Sequence, residues 1–370
     1  MRFFRLGFVL LAVFLAPSAS TARANTSADS QTLFPVDKDG KWGFIDATGK
    51  IVIPLKFEQA RYFSEGLACV KVGDKYGFIN EHGDMVIAPK YDSAWSFREG
   101  LAEVEEHYGP SEFIDKTGKV AFVPPSSHRF IEFRDGLAQG RSSFYGDSRY
   151  QPSADSPLMK TGWIDHSGKW AIEPRFKGFW DFSEGLAAVT FDALAPAKTG
   201  KMGFINKRGQ VVIAGRFDSA TYFSEGVAMV KADGRAFFVD PTGKRAFEGD
   251  FEDASNFHDR LACVQIGGKW GFIDHKGRLV IPPLLEEESV FFNGRADFTH
   301  NGKTGYIDKH GQTVVPAIYD YGHFFLGELA SVTFNATRGD GSGSGYINRD
   351  GKVVWAPQPK DSTLPTTKQN

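Results

Sequence analysis

The sequence predicts an all-β fold of tandem repeats, about 34 residues each, and three observations carry that prediction. The stretch Lys41–Pro54, K-W-G-F-I-D-A-T-G-K-I-V-I-P, returns as near copies at Lys75, Lys201 and Lys269 and as looser copies around Phe113, Trp163, Phe238, Tyr306 and Tyr346. Five of the eight steps between these marks are 34 or 35 residues. Each copy alternates short β-branched runs with turn residues, and no copy carries a long helical period. An internal period overrides the two or three domains that 370 residues would otherwise suggest.

The elements follow in order. Met1–Ala24 has Arg2 and Arg5, an apolar run at Leu6–Ala16 and Ala22-Arg23-Ala24 before a cleavage point, the pattern of a secretory signal. The run is shorter than the ~20 residues of a membrane span. The mature chain is expected to start near Asn25, in the periplasm or secreted, with no stable membrane insertion. Asn25–Gln31 is a polar lead-in, and Leu33–Val36 reads as a degenerate first strand.

Within a unit, Phe44-Ile45-Asp46 is aromatic, then Ile or Val, then Asp or Asn in all nine copies. Three residues further on, every copy has Gly: 49, 83, 118, 168, 209, 243, 277, 311 and 351. Asp/Asn-x-x-Gly between apolar runs is turn chemistry, so these runs form a β-hairpin. Apolar residues on both faces, at Phe44 and Ile45, make that strand central. Pro at 54, 89, 124, 174, 282, 316 and 357 is expected to close the second strand. A link bearing Phe63 and its equivalents then enters a third strand, Gly66–Val70, whose Ala68 recurs as Ala in all eight full units. A fixed small residue implies close packing on a neighbour. So does Gly43, kept in seven of nine copies and replaced by Glu112 and Phe237.

Three short antiparallel strands per unit cannot bury their own apolar face, so units must stack. The expected array spans residues 33–357 in about nine units, the last partial, with 358–370 a disordered tail. Its expected shape is an open twisted solenoid, because 34 residues are few beside the ~40–45 of a four-stranded propeller blade. The alternative is a closed, propeller-like ring, which would need Leu33–Val36 to pair with the last unit, Tyr346–Trp355.

W-G-F-I-D-x-x-G-K-x-V-I-P followed by F-x-x-A-x-x-F-S-E-G-L-A-x-V resembles the bacterial WG-repeat family, and Lys41–Val70 and Lys75–Val104 carry the pattern almost whole. The resemblance implies a tandem β-repeat scaffold, common among bacterial exported proteins, with no general catalytic residues. The Trp position itself varies: Trp survives at Trp42 and Trp270, whereas other units have Tyr76, Ser111, Thr161, Met202, Ala236, Thr304 and Ser344.

Chemistry-bearing candidates are few. Asn replaces Asp freely in the hairpin series, which suits an accepting turn residue and not a general base. A second series, Glu65, Glu99, Asp135, Glu184, Glu225 and Asp259, precedes the third strand and would form a row along one edge of a regular stack. Its members lie a full repeat apart, too far to share one calcium ion, and turn formation with solvation is expected. His82, His166, His275 and His310 fall at hairpin tips, where solvation is expected, and no ligand set of metal-binding spacing accompanies them. Cys69 and Cys263 share one slot five units apart, so an extended array leaves them unpaired and only a ring could bring them near. No nucleophile elbow, zinc-protease or phosphate-loop pattern is present. Arg338-Gly339-Asp340 and the sequon Asn335-Ala336-Thr337 are read as chance matches in a Gly/Ser loop. Formal net charge is −2 and becomes more acidic without the leader, which provides no basic footprint for nucleic acid.

The expected function is therefore an exported, non-enzymatic scaffold that engages a protein or glycan through variable surface positions, with Trp42, Tyr76, Met202 and Trp270 as candidate contacts. No catalytic residue, cofactor or metal is expected. The alternatives are a structural envelope spacer without a ligand, or an enzyme whose site lies in the inserted loops Arg141–Lys160 and Phe191–Gly200.

Overall fold

The computed structural model describes residues 32–107, 109–125, 128–142, 160–176, 180–191, 200–334 and 343–357. The leader, the lead-in, most of both inserted loops, the Arg338-Gly339-Asp340 and Asn335-Ala336-Thr337 matches and the tail lie outside these residues.

The described chain forms nine antiparallel sheets in sequence order, and these are the blades of a closed β-propeller. Blade 1 consists of β1 (Phe34–Lys38), β2 (Lys41–Ile45) and β3 (Ile51–Phe57). Blade 2 shows the fuller plan, with β4 (Gln59–Ala60), β5 (Ala68–Val72), β6 (Lys75–Ile79) and β7 (Met85–Tyr91) in that spatial order. The expected three strands are all present. The two-residue strand β4, hidden within the link, pairs at Ala60↔Val70 and Gln59↔Lys71 and makes a fourth. A four-stranded blade fits a 34-residue period because this strand is so short.

Closure corrects the open solenoid. The reason lies in how blades pack. Phe44 and Ile45 are both fully buried, but in different clusters. Phe44 meets Ala68, Val70 and Ile79 of blade 2. Ile45 faces the other way, to Tyr346 and Leu329 of blade 9. The same exchange repeats at every interface, so the nine apolar clusters follow one another around a ring. The ring does not close by the strand pairing the alternative reading required. Residues Phe34–Lys38 pair with β2 of their own blade, Phe34↔Ile45 through Lys38↔Lys41. Blade 9, Tyr321–Trp355, forms no strand pair with blade 1 among the described residues and meets it by apolar packing and by the Tyr346 hydroxyl on the Pro35 carbonyl.

The recurrent residues now have individual causes. The link Phe of each blade packs on the strand aromatic of the blade before, as in Phe44–Phe63 at 4.8 Å, Phe78–Phe97 at 4.8 Å and Phe272–Phe291 at 4.7 Å between ring centroids. The recurring Ala leaves room for that pair. Gly49 has φ +87°, and a Cβ there would meet the Val354 carbonyl across the closure; the equivalent Gly83 would meet Ile53 at 3.1 Å. This Gly serves both the turn and the interface.

Gly43 faces a bulge in β3, where Trp42 pairs with Phe57 while Phe44 pairs with Ile53. A Cβ on Gly43 would lie 2.5 Å from the Ile53 carbonyl oxygen. Pro54 sits inside this bulge, so the second strand does not end at Pro as expected but runs on to Phe57. An outer edge strand tolerates Pro because the missing N–H faces solvent. Both units without this Gly change, and blade 9, which keeps Gly345, also has a short outer strand, Val353–Trp355, among the described residues. At Glu112 the outer strand shrinks to Val120–Phe122, short of Pro124. At Phe237 it is reduced to isolated bridges, Ala236↔Phe251 and Val239↔Arg245.

Candidate functional site

Near the axis, where blades converge, each link ends in a tight two-residue turn. Glu65 and Gly66 have φ 54° and 85°, with Ser64 and Leu67 exchanging backbone hydrogen bonds around them. Both central residues at positive φ define a type I′ hairpin turn. The second acidic series occupies the first turn position and does more than form turns. Glu65 accepts the Gly100 N–H of the next blade at 3.0 Å, Glu99 that of Gly136 at 2.9 Å, Glu184 that of Gly226 at 2.9 Å and Glu225 that of Arg260 at 3.1 Å. Asp135 and Asp259 do the same for Gly185 and Gly294, at 2.6 and 2.5 Å. A residue on the next blade's hairpin tip then pairs with the same acid: Lys116 with Glu65 at 3.2 Å, Lys207 with Asp135 at 2.5 Å and Lys309 with Asp259 at 3.9 Å. The row is therefore an inter-blade hydrogen-bond relay, which sequence spacing alone could not show.

All four tip histidines are exposed as expected, and two of them also make contacts that sequence did not suggest. His166 stacks on Phe133 with centroids 4.3 Å apart and lies 3.2 Å from Glu99; His275 stacks on Phe257 at 4.0 Å and lies 2.8 Å from Glu225. Both occupy the slot that holds Lys in blades 3, 5 and 8. The nine Asp/Asn side chains cap their own turns, as Asp46 does by accepting Thr48 N–H at 2.8 Å and Lys50 N–H at 3.1 Å. A hydrogen bond from Arg278 holds the Asp274 carboxyl down at about 2.

Side chains flanking these turns form two unlike arcs. From blade 5 to blade 9, Trp180, Tyr222, His258, Phe292 and Phe324 follow one another with centroids 5.5, 6.3, 4.9 and 4.6 Å apart. Burial lowers the His258 pKa, and Tyr222 lies 3.1 Å from its Nε2. Across blades 3 to 5 the arc is charged: Arg98 Nε lies 3.2 Å from Glu132, and Arg134 lies 3.9 Å from Glu132 and 3.4 Å from Asp181. Sequence reasoning missed this contrast because each arc is assembled from several repeats. The signal available was the variability of the two positions flanking each link Phe.

The four candidate contacts are placed apart. Trp42, Tyr76, Met202 and Trp270 sit on the strand beside the outer edge, each against the apolar cluster of its own region. Trp42, Tyr76 and Met202 are half-buried, and Trp270 is buried. The Tyr76 hydroxyl donates to Gln59 at 2.5 Å, with Lys71 over its ring. Cys69 and Cys263 are free and buried in separate clusters, and desolvation raises each thiol to about 12. The ring closes without bringing them together. Among the described residues, no three His, Cys, Asp or Glu side chains gather as a metal site, and no helix is long and apolar enough to cross a membrane.

A model of the WG containing repeat matches residues 42–76, 76–107, 162–194, 202–235, 237–270, 270–303 and 305–336, well over half of the chain. The chain belongs to the WG-repeat family. The hairpins around Phe113 and Tyr346 fall outside these matches, and the first is a unit in which Glu112 replaces the bulge Gly. This WG-repeat chain is also similar to a crystal structure of the eukaryotic initiation factor, at 13% identity over 88% of this chain and 95% of that one, TM-score 0.59. It has weaker likeness to the computationally designed Ika8 protein, at 12% identity over 87% and 98% of the two chains, TM-score 0.45. Identities this low concern the fold alone. No curated protein matches the chain.

Proposed function

We propose that this WG-repeat propeller is an exported, non-enzymatic scaffold that recognises a protein or glycan partner through variable positions held on an invariant blade frame. The leader-like pattern of Met1–Ala24 supports export. The observation that carries recognition is the contrast between the two axial arcs. The Phe, Gly, Asp/Asn and Ala of the frame recur blade after blade, while the positions on either side of the link Phe change from Arg, Glu and Asp to Tyr, His and Phe, with Trp180 one residue further from its link Phe. Aromatics grouped in one region, four half-buried and Tyr222 buried, are the composition of binding surfaces.

The purified mature chain should retain a partner on a glycan array or from an envelope extract, and Trp180→Ala with Phe292→Ala should reduce that retention about tenfold or more, as for loss of a binding hot spot. Alanine at Trp42, Tyr76 and Met202 forms the comparison set. If only the comparison set loses binding, recognition belongs to the outer slot and not to the axial arc. If no reproducible partner is retained, the spacer reading replaces this one.

A further inference from the structure

Among the described residues, blade 1 lacks the innermost elements of the repeat. In blade 2 the inner edge of β5 is covered by Gln59–Ala60. The matching edge of β1, at Val36 and Asp37, has no strand beside it among the described residues. The axial turn that would precede β1 is missing from the described residues too. In blades 3 to 6 the second turn residue, a Gly, donates its N–H to the preceding blade's acid, but the Gly66 N–H of blade 2 meets no acceptor among the described residues. Next to it the hairpin-tip slot, which carries Lys, His or Arg in blades 3, 4, 5, 7, 8 and 9, carries Glu81. No ion pair to Glu81 is formed among the described residues. A cavity of about 200 Å³ lies between these groups, walled by Phe34, Tyr62 and Leu326 and edged by Glu65, Gly66 and Glu81.

We propose that this seam cavity is a docking site for an extended segment of a partner protein, which pairs with the inner edge of β1 at Val36 and Asp37 and sets a lysine or arginine against Glu81. Strand addition supplies affinity through main-chain hydrogen bonds, and the side-chain pocket supplies selectivity. A backbone carbonyl of the segment suffices to accept the Gly66 N–H. The sign of the charge selects the occupant. A segment copying the family's own turn would bring Glu or Asp beside Glu81, where like charges repel; a cationic side chain is attracted to Glu81 and also lies near Glu65. The cavity is smaller than the ~300–1,000 Å³ of small-molecule sites, so it suits one side chain with its backbone and not a cofactor. Residues 25–31 of this chain, N-T-S-A-D-S-Q, carry no Lys or Arg. Lys360 and Lys368 in the residues after Pro357 are the competing cations within the chain.

The test titrates the full chain with two acetylated, amidated peptides, S-K-G-L-A-V and S-E-G-L-A-V, at low salt. The lysine peptide should bind roughly tenfold or more tightly than the glutamate peptide, as for a close charge pair. Glu81→Lys should reverse that order while leaving the melting temperature in place, and Trp180→Ala with Phe292→Ala should not alter it. This last arm separates the seam from the axial arc. The proposal is overturned if the peptides do not differ, if the preference survives Glu81→Lys, or if binding appears only in a chain ending at Pro357. That last result would make the chain's own tail the occupant.

Discussion

The interface between blades 7 and 8 and the seam between blades 9 and 1 achieve the same packing by different means. At the first, Phe272 meets Phe291 at 4.7 Å and the small Ala296 leaves room for the pair. The carboxylate of Asp259 also ties the two axial turns together. At the seam no link Phe precedes blade 1 among the described residues, and the slot held by Ala elsewhere carries Phe34. Its ring lies 5.6 Å from Tyr346 and takes over the missing aromatic contact. The Tyr346 hydroxyl donates to the Pro35 carbonyl at 3.0 Å and lies 2.9 Å from the Tyr62 hydroxyl, which reaches across from blade 2. No covalent link helps here. Joining blades some 300 residues apart, and not one repeat apart, costs about 2 kcal/mol more in loop-closure entropy. One well-buried aromatic is of the right size to offset that, and Phe34 is 1% exposed.

Exchanging the two solutions tests this comparison most strongly. Phe34→Ala installs the residue that the eight full units use, yet should destabilise by about 3–5 kcal/mol because nothing refills the seam. Ala262→Phe, the reverse change at a regular interface, should cost about 1–3 kcal/mol through overpacking. Urea midpoints measure both. Amide exchange at Phe34–Lys38 should quicken only in the first variant, and equal quickening in both would mean that the seam is no weaker than the rest.

A smaller effect isolates the hydrogen bonds. Tyr346→Phe keeps the ring and removes the hydroxyl that bonds to the Pro35 carbonyl and the Tyr62 hydroxyl, for a loss of about 1 kcal/mol. An unchanged midpoint would assign the closure to apolar packing alone.

The pH dependence should act on the regular arc and spare the seam. Burial holds the folded His258 pKa below its ordinary 6.5, against the opposing pull of Glu225 and Asp259. Between the folded and unfolded values the unfolded chain binds a proton that the fold does not. The stabilisation is therefore present above the unfolded value near 6.5 and is lost as pH falls through the folded value. The drop in the urea midpoint between pH 7 and pH 5 should shrink in His258→Phe. An identical drop in that variant would show that other groups govern the window.

Much of the blade was legible from the chain. Asp46 with Gly49 announced the hairpin, Phe44 with Ile45 announced a strand covered on both faces, and Glu112 and Phe237 marked two units with damaged outer strands. The link strand Gln59–Ala60 was not legible, since two residues show no alternation. The inter-blade role of Glu65 was hidden for a different reason. Its partner, Gly100, is a whole repeat away, and only the turn conformation aims the carboxylate at that N–H. The axial arcs were hidden likewise, because Trp180, Tyr222, His258, Phe292 and Phe324 become neighbours only when five blades converge.

The sequence by itself determined the repeat, its hairpins, its turns and the double burial of its central strand, all of which depend on neighbours within one unit. Closure was decided only in three dimensions. Whether nine units open into a solenoid or return to their start depends on the small rotation between adjacent blades. That rotation is set by how an Ala, a Phe pair and a turn Gly fit across each interface, and it accumulates over the whole ring. At the seam it ends with Phe34 against Tyr346, two side chains that no local pattern connects.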